Sequence, residues 1–470
     1  MHPANSSTEY HWSTLPEVKA ILKLTGPILL TQLAQVGMGT IDTLMSGYVS
    51  TRDLAAVAIG SAIWTPIWLF LAGILVAMSP AIAKARASDQ NTNTLRSIVG
   101  SGVSLGVIAG TLLGILTAVI ALLLPSLVDD AHTAHTAKYY LLAIAIAMPV
   151  SGIFLALRFH AEAVDQAHHV TRIMLAGLLL NIPVNAALIY GWGFLPELGG
   201  IGCGIGSAIV VCTMTIALSW DCRRYRAQDF GGIRTLNTHI QFSMLANLSR
   251  VGLPIGVAIF FEISLFTAIA LFLTDLGPVV VAGHQVALNV SSVTFMLPLS
   301  LGMALTVRVG HHLGRSGYSA ARRTAWLGVK LNLLLAMINA TIILLGADLI
   351  AGLYSPDPAV VAIGSSLLIY AAVFQIPDSI QIAAAGSLRA YEDTFAVMLI
   401  TFVSYWLIGF STGWYLAYGL AEPMGAAGFW IGLIAGLSCA AIILAWRLRV
   451  IGRNQLVQSP DSCDNIADLP

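Results

Sequence analysis

The second half of the chain repeats the first, 226 to 228 residues later. Pro27 recurs as Pro254, the Ala55-Ala56-Val57 start of one apolar segment as Ala282-Gly283-His284, and Pro149 as Pro377. Tyr190-Gly191 recurs as Tyr418-Gly419, and Gly199, Gly202 and Gly206 as Gly425, Gly428 and Gly432. A duplicated chain folds into two similar lobes. Almost all of both halves is apolar enough to lie in a membrane, where paired lobes can rock about a shared central site. The repeat therefore points to transport.

Of the 470 residues, 57% are hydrophobic and 10% charged, against about 25% charged in a soluble domain. Twelve apolar segments stand near 17–45, 54–83, 97–125, 138–160, 170–192, 199–220, 245–274, 280–307, 324–347, 359–387, 394–419 and 425–446. Each approaches or exceeds the ~20 residues that carry a helix across a bilayer. They are continuously apolar, whereas barrel strands are shorter and alternate. This predicts an all-α integral membrane protein with twelve transmembrane helices in two parallel six-helix repeats. An even number of helices per half gives both halves the same orientation. The polar start, Met1–Thr14, lacks the charged-then-apolar pattern of a cleaved signal, so the first helix is expected to stay.

Twenty-one of the 23 Lys and Arg fall at the start of helix 1, after helix 12, or at the links 2–3, 4–5, 6–7, 8–9 and 10–11; Arg52 and Lys138 lie on the other side. Cytoplasmic loops hold the excess of Lys and Arg, so both termini are expected inside. The expected organisation is a cytoplasmic N-terminal segment 1–16, an N-lobe of helices 1–6 over 17–220, a linker 221–244, a C-lobe of helices 7–12 over 245–450, and a cytoplasmic tail 451–470. Arg223, Arg224, Arg226, Arg234 and Arg250 mark the linker. The formal net charge of zero argues against nucleic acid as a partner. Cys203, Cys212, Cys222, Cys439 and Cys463 show neither zinc spacing nor a disulfide framework.

Three acidic residues sit well inside apolar runs: Asp42, Glu262 and Asp378. A carboxylate at the bilayer centre costs roughly 2.5–3.5 kcal/mol on insertion scales, so each needs a reason. Burial also favours the protonated form of a carboxylic acid, which lets such a group carry a proton near neutral pH. Asp42 shares a helix face with Gln35, seven residues earlier. It reads either as a proton or cation site open to a central cavity, or as a residue facing water near the outer end of helix 1. Glu262 has no basic neighbour in sequence, and its repeat mate is Gln35. It is a coupling candidate or a neutral packing residue. Asp378 follows Pro377, where a freed backbone carbonyl beside a carboxylate makes a plausible hard-cation site; the alternative is a cap at a broken helix. The three break the repeat, which suggests separate tasks for the lobes.

Helix 5 adds Asn181 and Asn185, four apart and hence on one face. Their amides can hydrogen-bond Asp42 or serve as interhelical glue. His284 is a weaker candidate. Arg158, Glu162 and Asp165, at the inner end of helix 4, read as solvated charges. Trp192, Trp220 and Trp414 read as interfacial anchors. Walker-type phosphate loops, Gly-x-Ser-x-Gly and His-Glu-x-x-His are all absent. Neither direct use of ATP nor an enzyme is expected, and no cofactor.

The stretch Gln35-Val36-Gly37-Met38-Gly39-Thr40-Ile41-Asp42-Thr43-Leu44-Met45-Ser46-Gly47, followed by Leu54-Ala55-Ala56-Val57-Ala58, resembles the first two helices of the multidrug and toxic compound extrusion (MATE) transporters. So do Leu180-Asn181-Ile182-Pro183-Val184-Asn185 with Tyr190-Gly191, Gly199-Gly200-Ile201-Gly202-Cys203-Gly204, and Ala384-Ala385-Gly386-Ser387-Leu388-Arg389. The resemblance covers about residues 15–450 and is nearest to the NorM-type branch, whose second-lobe acidic positions match Glu262 and Asp378. It implies a twelve-helix, V-shaped antiporter of the bacterial inner membrane. Such a protein exports cationic, often aromatic drug-like molecules, antibiotics among them, in exchange for H⁺ and/or Na⁺. It implies cation or proton coupling at Asp42, with Asn181 nearby, and at Glu262 and Asp378, the last two as Na⁺ ligands. Gln35, Asn185, Phe374 and His284 are supporting or substrate-binding candidates. Some family members have Asp where this chain has Asn185, and Tyr where it has Phe374. Phe offers no hydroxyl to Na⁺, which leaves H⁺ at least equal to Na⁺ as the coupling ion. A lipid-linked oligosaccharide flippase on a related scaffold is the alternative. It calls for cationic residues lining the cavity, and Lys and Arg are nearly absent from the apolar interiors.

Overall fold

The structure, a computed structural model, describes residues 12–88, 92–192, 196–225, 241–315 and 317–457. The first eleven residues, most of the expected linker with Arg226 and Arg234, and the tail from 458 with Cys463 lie outside the described residues.

Twelve long helices make up the described chain. They are α1 Thr14–Gly47, α2 Thr51–Ala87 (with a break at Val76 and Ala77), α3 Thr92–Leu123, α4 Ala131–Ala163, α5 Ala167–Ile189 and α6 Gly200–Tyr225. The second half follows with α7 Phe242–Phe272, α8 Pro278–Arg315, α9 Gly317–Tyr354, α10 Pro358–Ala390, α11 Thr394–Gly419 and α12 Ala426–Val457. Eleven of these segments are long and apolar enough to cross a membrane. The twelfth, α1, has the length at 34 residues, but its threonines, glutamines and glycines make it less apolar. Helix α6 runs on to Tyr225, so the first residues of the expected linker are helical.

Caps and turns reproduce the repeat. Asp130 accepts from the Thr133 amide to start α4, and Asp357 from the Ala359 amide to start α10. The Thr133 hydroxyl and amide hold the exposed Asp130 carboxyl below the usual aspartate range. Asp165 and Glu392 take left-handed backbone (φ 62° and 63°) at the turns leaving α4 and α10. Tyr190 donates its hydroxyl to the Met45 carbonyl (3.0 Å), and Tyr418 donates to the Phe272 carbonyl (2.6 Å). Each lobe ties the end of its fifth helix to the end of its first in this way. Helix pairing repeats as well. Helix α4 packs on α2, α3 and α6 as α10 packs on α8, α9 and α12, and each lobe has its own apolar core.

The α3–α4 crossing is backbone on backbone. Gly106 and Gly152 face each other so closely that a Cβ on either would overlap the other's carbonyl. Helix association in lipid relies on this close approach, because lipid tails offer no hydrophobic drive between helices.

The lobes meet through α1, α2, α7 and α8. Midway, a Cβ on Gly73 of α2 would stand 2.6 Å from the Gly256 Cα of α7. At the end where the Lys- and Arg-rich links lie, called the basic end below, α2 reaches α8 and α1 reaches α8 and α9. There Trp12 donates to the Thr324 hydroxyl (3.0 Å), and Lys84 lies 3.8 Å from Glu392.

Arg158 and Glu162 are not solvated charges. Both are buried at 2% exposure, with Arg158 Nε donating to Glu162 at 2.8 Å. The guanidinium also donates to Gln32 (2.6 Å) and Gln35 (3.4 Å) of α1. Five fixed donors let arginine satisfy several acceptors at once, which is how a buried charge is tolerated. Trp192, Trp220 and Trp414 are exposed, as anchors require.

Candidate functional site

Asp42 lies five residues before the end of α1 and is buried at 6% exposure. Helix α5 brings two amides to it, because Asn181 and Asn185 are one turn apart on one face. Asn181 Nδ2 donates to Oδ1 at 3.1 Å and Asn185 Nδ2 donates to the same oxygen at 2.6 Å. Helix α6 supplies Ser207, whose hydroxyl donates to Oδ2 at 2.9 Å, and Cys203, whose thiol lies 3.5 Å from the Asp42 carbonyl. All four partners are neutral. They hold the carboxylate by geometry and leave its charge uncancelled, so a proton or a small cation can add to it. The reading of Asp42 as merely water-facing fails. Gln35 stands apart from this cradle, bound instead to Arg158. Ser207 was not among the sequence candidates. The signal was present in the glycines just before it, which mark α6 as a helix meant for close approach.

The C-lobe site is built differently. Phe374 and Asp378 are one turn apart on α10, both buried, and α10 runs unbroken through Pro377. Asp378 is therefore not a cap at a broken helix. Neither of its carboxylate oxygens has a hydrogen-bond partner among the described residues, nor does the buried Tyr405 hydroxyl of α11. Half-buried Glu262 of α7 lies within Coulombic reach of Asp378 and of Arg389. Glu262 also lines a narrow cavity, together with Phe266, Phe374, Tyr405 and Gly409. Buried polar atoms without partners mark places where water or an ion completes the bonding. Phe374 lacks the hydroxyl its position could offer, but Tyr405 brings a phenol oxygen to the same cavity. His284, also buried, packs its ring on Trp430 (5.9 Å), which packs on Phe374 (5.9 Å). His284 does not line the cavity.

Among the described residues, no group of three or more His, Cys, Asp or Glu gathers where a metal ion could be held. Two carboxylates with a phenol nearby suit a proton or one hard monovalent cation.

The MatE family model matches residues 27–187 and 254–415, one match in each lobe. The chain belongs to the MATE family. The multidrug resistance protein MdtK of Yersinia pestis (strain Pestoides F) is 38% identical over 437 residues, covering 92% of this chain and 95% of that protein. MdtK of Yersinia enterocolitica is 37% identical over 435 residues, with the same coverage of both chains. Two solved MATE structures share the fold. The eukaryotic transporter AtDTX14 has a TM-score of 0.83 at 19% identity, covering 94% of this chain and 98% of its own. A multidrug resistance MATE family transporter in an outward-facing conformation has 0.84 at 18%, covering 93% and 96%. The architecture of a MATE transporter, a multi-pass membrane protein of twelve helices, is thus the architecture of this chain, and both carboxylate sites lie inside it.

Proposed function

We propose that this MATE protein is a secondary multidrug antiporter, expelling cationic, often aromatic compounds in exchange for H⁺ and/or Na⁺, with the basic end of the bundle in the cytoplasm of a bacterial cell. The observation that carries the reading is Asp42, a buried carboxylate in an apolar bundle whose charge is held by neutral donors alone. The names of the Yersinia relatives, multidrug resistance proteins, support drugs as the substrates. The coupling groups are Asp42 in the N-lobe and Glu262 with Asp378 in the C-lobe.

The mechanism follows from charge. While a carboxylate is ionised, it favours a cationic drug in the cleft. A proton or Na⁺ arriving from outside cancels that charge, and the drug leaves outward. The ion shifts the balance between the two lobe arrangements only as far as its affinities for them differ. One charge moved across 100 mV supplies ~2.3 kcal/mol, roughly a 50-fold gradient of drug. Arg158 adds no drug-repelling charge, because Glu162 cancels it while two glutamines accept from its other donors.

The test is export of a fluorescent cationic dye from liposomes holding the purified protein, with pH and Na⁺ gradients imposed separately. Export under at least one gradient is expected, and no export under either sinks the proposal. Asp378→Asn is expected to lower any Na⁺-driven export at least tenfold, since the asparagine keeps the shape of a carboxylate and loses its charge. Unchanged Na⁺-driven export in that variant would remove Asp378 from the coupling set.

A further inference from the structure

The cavity lined by Glu262 and Tyr405, the Asp42 cradle and the Arg158 cluster each lie within one lobe. One buried charge cluster spans the two lobes, and the mechanism above does not use it. Glu17, in the first turn of α1, is buried at 2% exposure. Arg308, in the last third of α8, grips it with two parallel bonds: Nε to Oε1 at 3.0 Å and Nη2 to Oε2 at 2.8 Å. His312, one turn further along α8 and fully buried, places Nε2 3.1 Å from Oε2. The carboxylate belongs to the N-lobe, and both nitrogen partners belong to the C-lobe.

We propose that the Glu17–Arg308–His312 cluster is the gate that holds the basic end shut, and that its rupture is the positioning event that admits cytoplasmic substrate. The inference rests on the reading that the lobes rock. Its geometry is specific to one arrangement. Arg308 and His312 are four apart on α8 and so present one face to Glu17. The two-pronged arginine bond fixes both distance and angle. Separating α1 from α8 by a few ångströms would break both arginine bonds and the His312 contact to the Glu17 carboxylate at once. The cluster therefore behaves as a switch with two states. It is closed with both charges satisfied, or open with both reached by water. The neighbours share its fate. Lys84–Glu392 and Trp12–Thr324 also cross from the first half of the chain to the second at this end. Unlike Glu17, the Lys84–Glu392 pair is half-exposed and serves better as a reporter than as a lock.

The experiment uses the full chain in liposomes. A carbodiimide joins a lysine amine to a carboxylate only when they touch, so the Lys84–Glu392 cross-link, quantified by mass spectrometry against total Lys84, reports closure of the basic end. In the unsubstituted chain the link is expected to form readily. In Glu17→Gln and in Arg308→Gln it is expected to fall at least threefold. In the double variant it should fall no further than in either single one, because partners in one contact are not additive. Unchanged cross-linking in both single variants, or a double variant showing the product of the two losses, overturns the gate. If one single variant fails to fold, the other with Arg308→Lys decides: lysine keeps the charge and loses the two-pronged geometry, so partial closure is expected and a loss equal to that of the remaining single variant counts against the proposal. The cross-link needs no drug export, so it responds even where the dye assay is negative. The gate and the substrate reading can therefore fail separately.

Discussion

Asp42→Asn is expected to fold and insert, yet lose at least tenfold of its ion-driven export. The structure explains why folding should survive. The new Oδ1 still accepts from Asn181 and Asn185, and the new Nδ2 can donate to Ser207 once that hydroxyl rotates. Buried polar groups are costly mainly when left unmatched, and here every group finds a match. What the asparagine cannot do is take up a proton or hold a cation. Wild-type export paired with variant export in the same liposome assay, beside melting temperatures in detergent, checks both halves. Full ion-driven export in Asp42→Asn would exclude Asp42 as a coupling group. A large drop in melting temperature would instead show that the charge itself organises α1, α5 and α6.

Gly152→Leu is expected to be the more damaging change, although it lies in no candidate site. Its Cβ alone would overlap the Gly106 carbonyl across the α3–α4 crossing. A flexible neighbour could move aside, but backbone can yield only if the two helices part. Helices α3 and α4 join along much of their length, so parting them disturbs the N-lobe core that carries α5 and α6. Overpacking costs typically ~1–3 kcal/mol and occasionally more, and a branched side chain against backbone belongs at the upper end. The expected result is little or no monodisperse protein on size-exclusion chromatography after membrane extraction. Leu112→Ala on the exposed face of α3 should stay within about 0.5 kcal/mol of wild type. Normal yield and melting temperature for Gly152→Leu would mean that the crossing is looser than its geometry implies.

The twelve spans and the repeat were legible because lipid imposes a one-dimensional rule: a helix must be apolar over its whole crossing. The meeting of Asn181 and Asn185 with Asp42 was legible for a similar reason, since i to i+4 spacing fixes a face and an isolated buried charge demands donors. Ser207, Tyr405 and the Glu17–Arg308 pair were not. Each depends on which helix neighbours which at a given depth, and that is settled by close crossings between segments far apart in sequence. Arg158 misled for a related reason. A charge near a helix end reads as solvated unless its acceptors are known, and two of these come from α1, more than a hundred residues away.

Between matching landmarks, helix α11 gains one residue over its counterpart α5. From the left-handed turns at Asp165 and Glu392 to the tyrosines at Tyr190 and Tyr418, the offset between lobes grows from 227 to 228. Helix α11 is also where the winding loosens into two π-helical stretches, Val403–Phe410 and Tyr415–Gly419. A π-turn is how a helix absorbs a single inserted residue without losing its ends. The insertion falls where the N-lobe keeps Asn181 and Asn185, and in the C-lobe glycines 409 and 413 stand in their place. A single added codon thus accompanies the exchange of two amide hands for an open hollow beside Tyr405. The N-lobe holds its acid with amides of its own, while in the C-lobe both carboxylate oxygens of Asp378 stand without a hydrogen-bond partner among the described residues.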